Sequence, residues 1–231
     1  MCAGRNQAKV KEQVFTMRQE VVLPWRDVGC EYRRKHFEYL CDYYGQDFDI
    51  VIGDNEGEFN RSGARNAGVN NISSEVAIVI DADNFIPLDQ IHLGVKYARR
   101  RKGLVKPFKS FGYLTEEATD LFYKRNKIVS VENMWMNPPA IDFSGGAYIL
   151  RTEVWHELGG FDEGFTGYGA EDDAFHALCT SKIGRVSFVP GNNYHLYHPA
   201  YRVTSLENYQ RLVSQYNMNK SRVHKIIKDL S

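Results

Sequence analysis

Two carboxylates set two residues apart, Asp81 and Asp83, come directly after the apolar run Glu75 to Ile80. If that run is a strand, a turn at its end lets both carboxylates reach a common point, and oxygen ligands of this kind hold hard divalent cations. On conformational grounds alone the same acids also suit an Asx turn or a helix N-cap leading into Pro87. A second candidate lies at Asn192 to Pro199, where His195 and His198 flank Leu196-Tyr197. Neutral imidazole ligates Mn, Fe or Zn, and a three-residue spacing brings two rings toward one point in a turn or helix. Either histidine alone also suits packing against Tyr194 and Tyr197. Beside two upstream carboxylates, the pair makes an aspartate-plus-histidine ion site a coherent reading.

Glu171, Asp172 and Asp173 follow Gly167-Tyr168-Gly169-Ala170. An acidic triplet commonly forms a solvated face or the first turn of a helix. Here the glycines permit close backbone approach and the aromatic ring offers a flat surface. That combination suits a sugar ring and a base that takes its proton, and spacing does not choose among the three acids. Pro24-Trp25-Arg26-Asp27 and Asp54 each end a short apolar run. An Arg in such a place can pair with a diphosphate, and an Asp can accept hydrogen bonds from a base or ribose. Phe59-Asn60-Arg61 and Arg65-Asn66 add polar reach at the start of the next helix, with Arg65 reading equally well as solvent-facing. The Gly-x-Gly-x-x-Gly fingerprint and the Gly-Lys-Ser/Thr loop are both missing, so dehydrogenase and P-loop readings lose their support.

The elements that must position these groups alternate. A strand within Val14 to Leu23, stopped by Pro24, precedes a helix over Cys30 to Tyr44, where Tyr32, His36, Tyr39, Leu40 and Tyr43 recur at helical intervals. Phe48 to Ile52 reads as a second strand, Asn60 to Asn70 as a helix, and Glu75 to Ile80 as a strand buried on both faces. Strand, helix, strand units give parallel strands with right-handed crossovers, and ligands of such sheets lie beyond the carboxyl ends of the strands. Asp54, Asp81 and Asp83 are therefore expected at one edge. Further on, the pattern predicts helices over Pro87 to Arg100, Thr115 to Asn126, Arg151 to Leu158 and Phe175 to Ser181. It predicts strands at Leu104 to Phe108, Phe143 to Leu150 and Val186 to Val189, an irregular loop at Asn133 to Pro139, and a polar helical tail over Ser205 to Leu230. The fold class is α/β with a mostly parallel sheet. Residues 1–204 read as one domain and 205–231 as a helical extension.

The 231 residues are 43% apolar and 25% charged, which is ordinary for a globular domain of this size. Lys plus Arg equals Asp plus Glu at 29 each, so no global field attracts a nucleic acid or an acidic membrane. The basic run Arg99 to Lys102 reads as a solvated face. Cys2, Cys30, Cys41 and Cys179 have no paired short spacing, which predicts free thiols in a reducing compartment. The polar N-terminus lacks a signal-peptide core, and Val76 to Ile80 is far too short to span a bilayer. A soluble cytoplasmic protein is expected.

In this order the blocks resemble the GT-A glycosyltransferases, and within them the motif group of the β-1,4-galactosyltransferases and polypeptide N-acetylgalactosaminyltransferases. Phe143-Ser144-Gly145-Gly146, then Arg151, Trp155, Gly159 to Glu163, Phe165 and Gly167 to Asp173, is similar to that group's acceptor and catalytic segment. Pro24-Trp25-Arg26, Phe59-Asn60-Arg61 and Asp81-Ala82-Asp83 resemble its nucleotide-binding, Phe-Asn-Arg and Asp-x-Asp segments. The resemblance implies a UDP-sugar donor, a hydroxyl-bearing glycan or glycoconjugate acceptor, Mn2+ and inversion. It puts Asp83 and His198 on the ion, with His195 where the galactosyltransferases carry a ligating methionine. It puts Asp81 near the donor ribose or sugar, and Pro24, Arg26, Asp54, Arg61 and Gly146 around the donor. Asp172 takes the position of the base, Glu171 that of its acceptor-holding neighbour, and Tyr168 that of an aromatic platform usually occupied by tryptophan. Phe143 stands where the family discriminates the donor sugar, so galactose, N-acetylgalactosamine and glucose all stay open. A compact member without an anchor implies a bacterial or bacterial-virus origin. The alternative is a nucleotide-sugar binding protein that performs no transfer.

Overall fold

The computed structural model of the chain describes residues 18–125, 127–128, 130–131, 133–136, 145–199 and 205–216. β1 (Glu20–Pro24), α1 (Glu31–Tyr44), β2 (Asp49–Gly53), α2 (Arg61–Asn70) and β3 (Val76–Ile80) form two crossovers, with β1 parallel to both β2 and β3. The Asn60 side chain caps α2 by accepting from the Gly63 amide at 3.0 Å, which satisfies one of the helix's free donors. β4 (Asn84–Phe85), α3 (Leu88–Arg100), β5 (Val105–Lys106), β6 (Ser110–Tyr113), α4 (Glu116–Arg125) and β7 (Asn133–Met136) follow. The chain continues through β8 (Ala147–Arg151), α5 (Thr152–Leu158), α6 (Glu171–Ile183), β9 (Ser187–Phe188), β10 (Asn192–His195) and α7 (Leu206–Tyr216). The main sheet is ordered β2-β1-β3-β8-β5-β9, parallel except where β8 runs antiparallel between β3 and β5.

Every residue of β3 is buried, and successive residues point to opposite faces. Ile78 and Ile80 enter the core beneath α1, α3 and α4, with Leu40, Tyr44, Ile91 and Phe122. Ala77 and Val79 enter the other core, with Trp155, Phe161 and Phe175 beside α5 and α6. An unbroken apolar run is what a strand covered on both sides requires. At about 1.5–3 kcal/mol per buried aliphatic side chain, these faces fix where the polar turn after Ile80 emerges.

A second sheet, ordered β4-β10-β6-β7, stands at the carboxyl edge of the first and was not foreseen. Asn133–Met136, read as part of an irregular loop, is instead its edge strand, pairing antiparallel with β6; residues 137–139 of that loop lie outside the described residues. Backbone pairing with Ser110–Tyr113 overrides the breaker signal of the prolines that follow. The strand expected from Phe143 begins only at Ala147, because Gly146 has φ 90 and leaves extended geometry; Phe143 itself lies outside the described residues. The helix expected from Phe175 begins four residues earlier, with Glu171, Asp172 and Asp173 as its first turn. Of the tail, Leu206–Tyr216 is helical and docks through Arg211, whose guanidinium pairs with Asp162 at 2.9 Å. Cys30, Cys41 and Cys179 are free thiols. No helix among the described residues is long and apolar enough to cross a membrane.

Candidate active site at the carboxyl edge of the sheet

Two centres meet where β3 ends. The first forms as β10 pairs antiparallel with β4, setting His195 opposite Asn84 while the Leu196 amide donates to the Asp83 carbonyl at 2.8 Å. This clamps the histidine segment against the Asp83 turn. His195 Nε2 and His198 Nε2 lie 3.6 Å and 3.3 Å from Asp83 Oδ2. One ligand atom from each of the three residues falls within 4.8 Å of the others. His198 Nδ1 faces the Pro199 carbonyl at 3.1 Å, which turns the ring so that Nε2 is the nitrogen on the Asp83 side. Nε2 is therefore the atom His198 would offer an ion. Two imidazoles and one carboxylate form an N2O donor set that fits a divalent first-row ion such as Mn2+. Burial opposes ionisation of Asp83, but the His195 and His198 rings hold its carboxyl far below the usual range.

His36 on α1 supports this centre from behind. It is buried, its Nε2 donates to the Tyr197 carbonyl at 2.7 Å, and its Nδ1 accepts from the Tyr123 hydroxyl. Thr119 Oγ1 accepts from the Tyr197 amide at 3.0 Å, so Tyr197 is fixed on both backbone groups immediately before His198. Burial lowers the His36 pKa to about 4, which keeps the ring neutral and the arrangement intact near pH 7.

The second centre is a buried charge network. Arg65, read as equally suited to solvent, has no exposed side-chain surface. Its Nη2 donates to Asp81 Oδ1 and Oδ2 at 2.8 Å and 3.0 Å, its Nε donates to Oδ1 at 3.1 Å, and its Nη1 lies 2.9 Å from Asp172 Oδ1. Arg61, one helical turn earlier, pairs with Glu171 at 2.6 Å and covers the Tyr168 ring at 4.9 Å. Tyr148 on β8 donates its hydroxyl to Asp172 Oδ1. Lys106, fully buried on β5, donates to the Gly145 and Ala147 carbonyls at 2.9 Å and 2.8 Å and lies over the Tyr148 ring. Asp81, Glu171 and Asp172 are thus matched by Arg61, Arg65 and Lys106.

Burial raises every carboxylate here, and the neighbours decide the outcome. Asp172 ends below its ordinary value because Arg65, Arg61 and the Tyr148 hydroxyl favour its charged form. Burial and the adjacent Asp172 charge push Glu171 up to about 7 against Arg61 and Arg65. Burial brings Lys106 down to about 7, opposed by Asp172 and Asp81. Gly145 must lack a side chain, since a Cβ there would sit 2.8 Å from Asp172 Oδ2. That oxygen therefore lies close against Gly145, while Oδ1 is engaged by Arg65 and Tyr148.

The remaining predicted residues are distributed as follows. Pro24 closes β1, and Arg26 pairs with Asp54 at 2.7 Å across the neighbouring strand ends while also binding the Asn55 and Gly57 carbonyls. Gly146 carries a positive φ under the Asn84–Asn193 side-chain pair, and its carbonyl accepts from the Asp81 amide at 3.0 Å. The sequence reading gave Arg65 only polar reach or a solvent-facing place, and assigned no functional role to His36, Lys106 or Tyr148. Arg65 had a visible signal: a long cation on a helix otherwise built from Ser62, Gly63, Ala64 and Gly68, one turn after Arg61.

The glycosyl transferase family 2 profile matches residues 33–158, more than half of the chain. The chain belongs to glycosyl transferase family 2. A profile described as the N-terminal domain of galactosyltransferase matches residues 127–199, which contain the Glu171–Asp173 turn and both histidines. No curated protein matches the sequence. Among solved structures, GalNAc-T7 with UDP, GalNAc and Mn2+ is similar at TM-score 0.56 and 16% identity, over 87% of this chain and 49% of that one. S. aureus TarS 1-349 is similar at TM-score 0.55 and 14% identity, over 93% and 70%. Drosophila β-1,4-galactosyltransferase 7, a mutant in complex with manganese, UDP-Gal and xylobiose, aligns at TM-score 0.48 and 17% identity, over 74% and 64%. The family 2 chain thus spans about half of the GalNAc-T7 chain and shares its GT-A fold.

Proposed function

We propose that this family 2 chain is an inverting, metal-dependent glycosyltransferase that moves a hexose or N-acetylhexosamine from a UDP-sugar to a glycan or glycoconjugate hydroxyl, with Asp172 as general base. The observation that carries this reading is the adjacency of two unlike centres at one sheet edge. Asp83, His195 and His198 offer ion ligands, and Asp81 with Arg65 links their turn to Asp172, an ionised carboxylate whose side chain is 23% exposed. The Mn2+ and UDP held by GalNAc-T7, a protein of the same fold, support the choice of ion and nucleotide.

A bound Mn2+ would be held by Asp83, His195 and His198 and would stabilise negative charge on a departing diphosphate. The chain's own groups do the rest. Asp172 Oδ2 takes the acceptor proton while Arg65 and Tyr148 hold Oδ1 and keep the carboxylate ionised. The acceptor oxygen bonds to the anomeric carbon opposite the breaking C–O bond, whose electron pair leaves on the UDP phosphate oxygen, so the configuration inverts. Glu171, buried and tied to Arg61, is poorly placed to act as base and suits holding the wall that Arg61 and Tyr168 form.

The test is a panel of UDP-galactose, UDP-N-acetylgalactosamine and UDP-glucose with Mn2+ and simple glycoside acceptors, reading UDP release and product. Asp172→Asn is expected to lower turnover by about 10²-fold or more with UDP-sugar affinity within a few-fold, the usual scale for loss of a general base. Donor binding with neither hydrolysis nor transfer across the panel would favour the non-catalytic binding protein. Near-wild-type turnover in D172N would pass the role of base to Glu171 or Asp173.

A further inference from the structure

Arg33 on α1 presents its Nη2 to His198 Nε2 at 3.4 Å. It is partly buried, and its charge acts on Asp83. The contact sets a second cation against the ring nitrogen that also lies 3.3 Å from Asp83 Oδ2 and that the site would offer to an ion. The guanidinium thus stands where an ion would approach that nitrogen. At 3.4 Å the hydrogen bond is long and weak, and therefore readily surrendered. The other arginines of this edge are committed elsewhere: Arg26 to Asp54, Arg61 to Glu171, and Arg65 to Asp81 and Asp172. Among the described residues no carboxylate lies within ion-pair distance of Arg33.

We propose that Arg33 is a diphosphate-recognising residue that blocks the His198 ligand nitrogen until an ion displaces it. This rests on the reading of Asp83, His195 and His198 as the ion site and adds a coupling to it. Charge supports the coupling. A divalent ion on one carboxylate keeps one net positive charge, Arg33 supplies a second, and the diphosphate of a nucleotide sugar carries two negative charges. Without the anion, ion and guanidinium repel each other at close range. With it, both are neutralised together.

Arg33 should therefore oppose the ion alone and favour ion plus nucleotide, two effects of opposite sign that a merely structural side chain would not produce. The experiment titrates the metal-free full chain with Mn2+, following the free-ion electron paramagnetic resonance signal, and then titrates UDP at saturating Mn2+ by calorimetry. Relative to wild type, Arg33→Met should bind Mn2+ alone about two- to tenfold more tightly, the equivalent of releasing one modest hydrogen bond. It should bind UDP about tenfold or more weakly, as expected for loss of one charge-assisted contact. Arg33→Lys, a smaller perturbation of the fold, should recover part of the UDP affinity. Unchanged or weaker Mn2+ binding in R33M, or unchanged UDP binding, overturns the proposal. Asp83→Asn separates the two levels of argument: if it leaves Mn2+ affinity at the wild-type value, the ion site is misassigned and the role of Arg33 falls with it. If it abolishes Mn2+ binding while R33M lacks the opposite signs, only the role of Arg33 fails.

Discussion

The two centres at the sheet edge are built on opposite principles. Around Arg65 each charge has a partner within the chain, and the geometry is held by the ion pairs themselves. Around Asp83 the geometry is held by backbone: the β4–β10 pairing, the Leu196–Asp83 bond and the His36–Tyr197 bond. What remains is a carboxylate with two imidazoles. A network that is already neutral suits a group that must keep one orientation and one protonation state through a reaction. A cluster whose ligand atoms converge under backbone control suits a ligand that arrives from solution. The comparison teaches that the first centre should fail by losing stability and the second by losing affinity.

Breaking that contrast at its strongest point gives the largest effect. Arg65→Met leaves Asp81 and Asp172 buried without their shared cation, and removal of one partner from such a network costs about 3–5 kcal/mol. Urea unfolding should register most of that loss with or without Mn2+; a variant as stable as wild type would show that the network does not hold the fold. The second centre should respond differently. His36→Ala frees the Tyr197 carbonyl that positions His198, and loss of such an outer support typically lowers metal affinity about 10–100-fold. The check is Mn2+ titration of the variant beside its unfolding curve, and an unchanged Mn2+ constant would deny His36 its role.

The smallest effect sharpens the comparison from inside the first centre. Lys106→Met removes a cation whose charge acts on Asp172 and Asp81. With less positive charge nearby, Asp172 protonates at a higher pH. Activity on the acid side should therefore begin to fall at higher pH than in wild type, while the rate on the plateau changes little. A pH–rate profile with an unmoved or lowered acid limb would remove Lys106 from the electrostatics of the base.

Much of this arrangement was legible in the residues. The apolar run Val76 to Ile80 announced a doubly covered strand, and the acids after it announced the functional edge, because burial on both faces leaves a strand's polar residues nowhere but its ends. His195 and His198 were legible as a spacing with two readings. Arg65 was not legible as buried, since a helix pattern gives the face of a residue but not what waits opposite it. Three carboxylates from positions 81, 171 and 172 make that face habitable for a guanidinium. The strand at Asn133–Met136 was missed for a related reason: its partner, Ser110–Tyr113, is itself held in register by β10, far along the chain.

By itself the sequence determined the alternation of strands and helices, the two-faced burial of β3 and the chemical types gathered at its end, because periodicity and hydrophobicity act over a few residues. The tertiary structure decided which of those groups are paired and which are left to meet a ligand. Arg61 and Arg65 are spent on carboxylates, while Arg33 and His198 Nε2 face each other. Such assignments depend on distances across a hundred residues or more of chain, and only the packing of α1 and α2 against the sheet and the pairing of β10 with β4 set them.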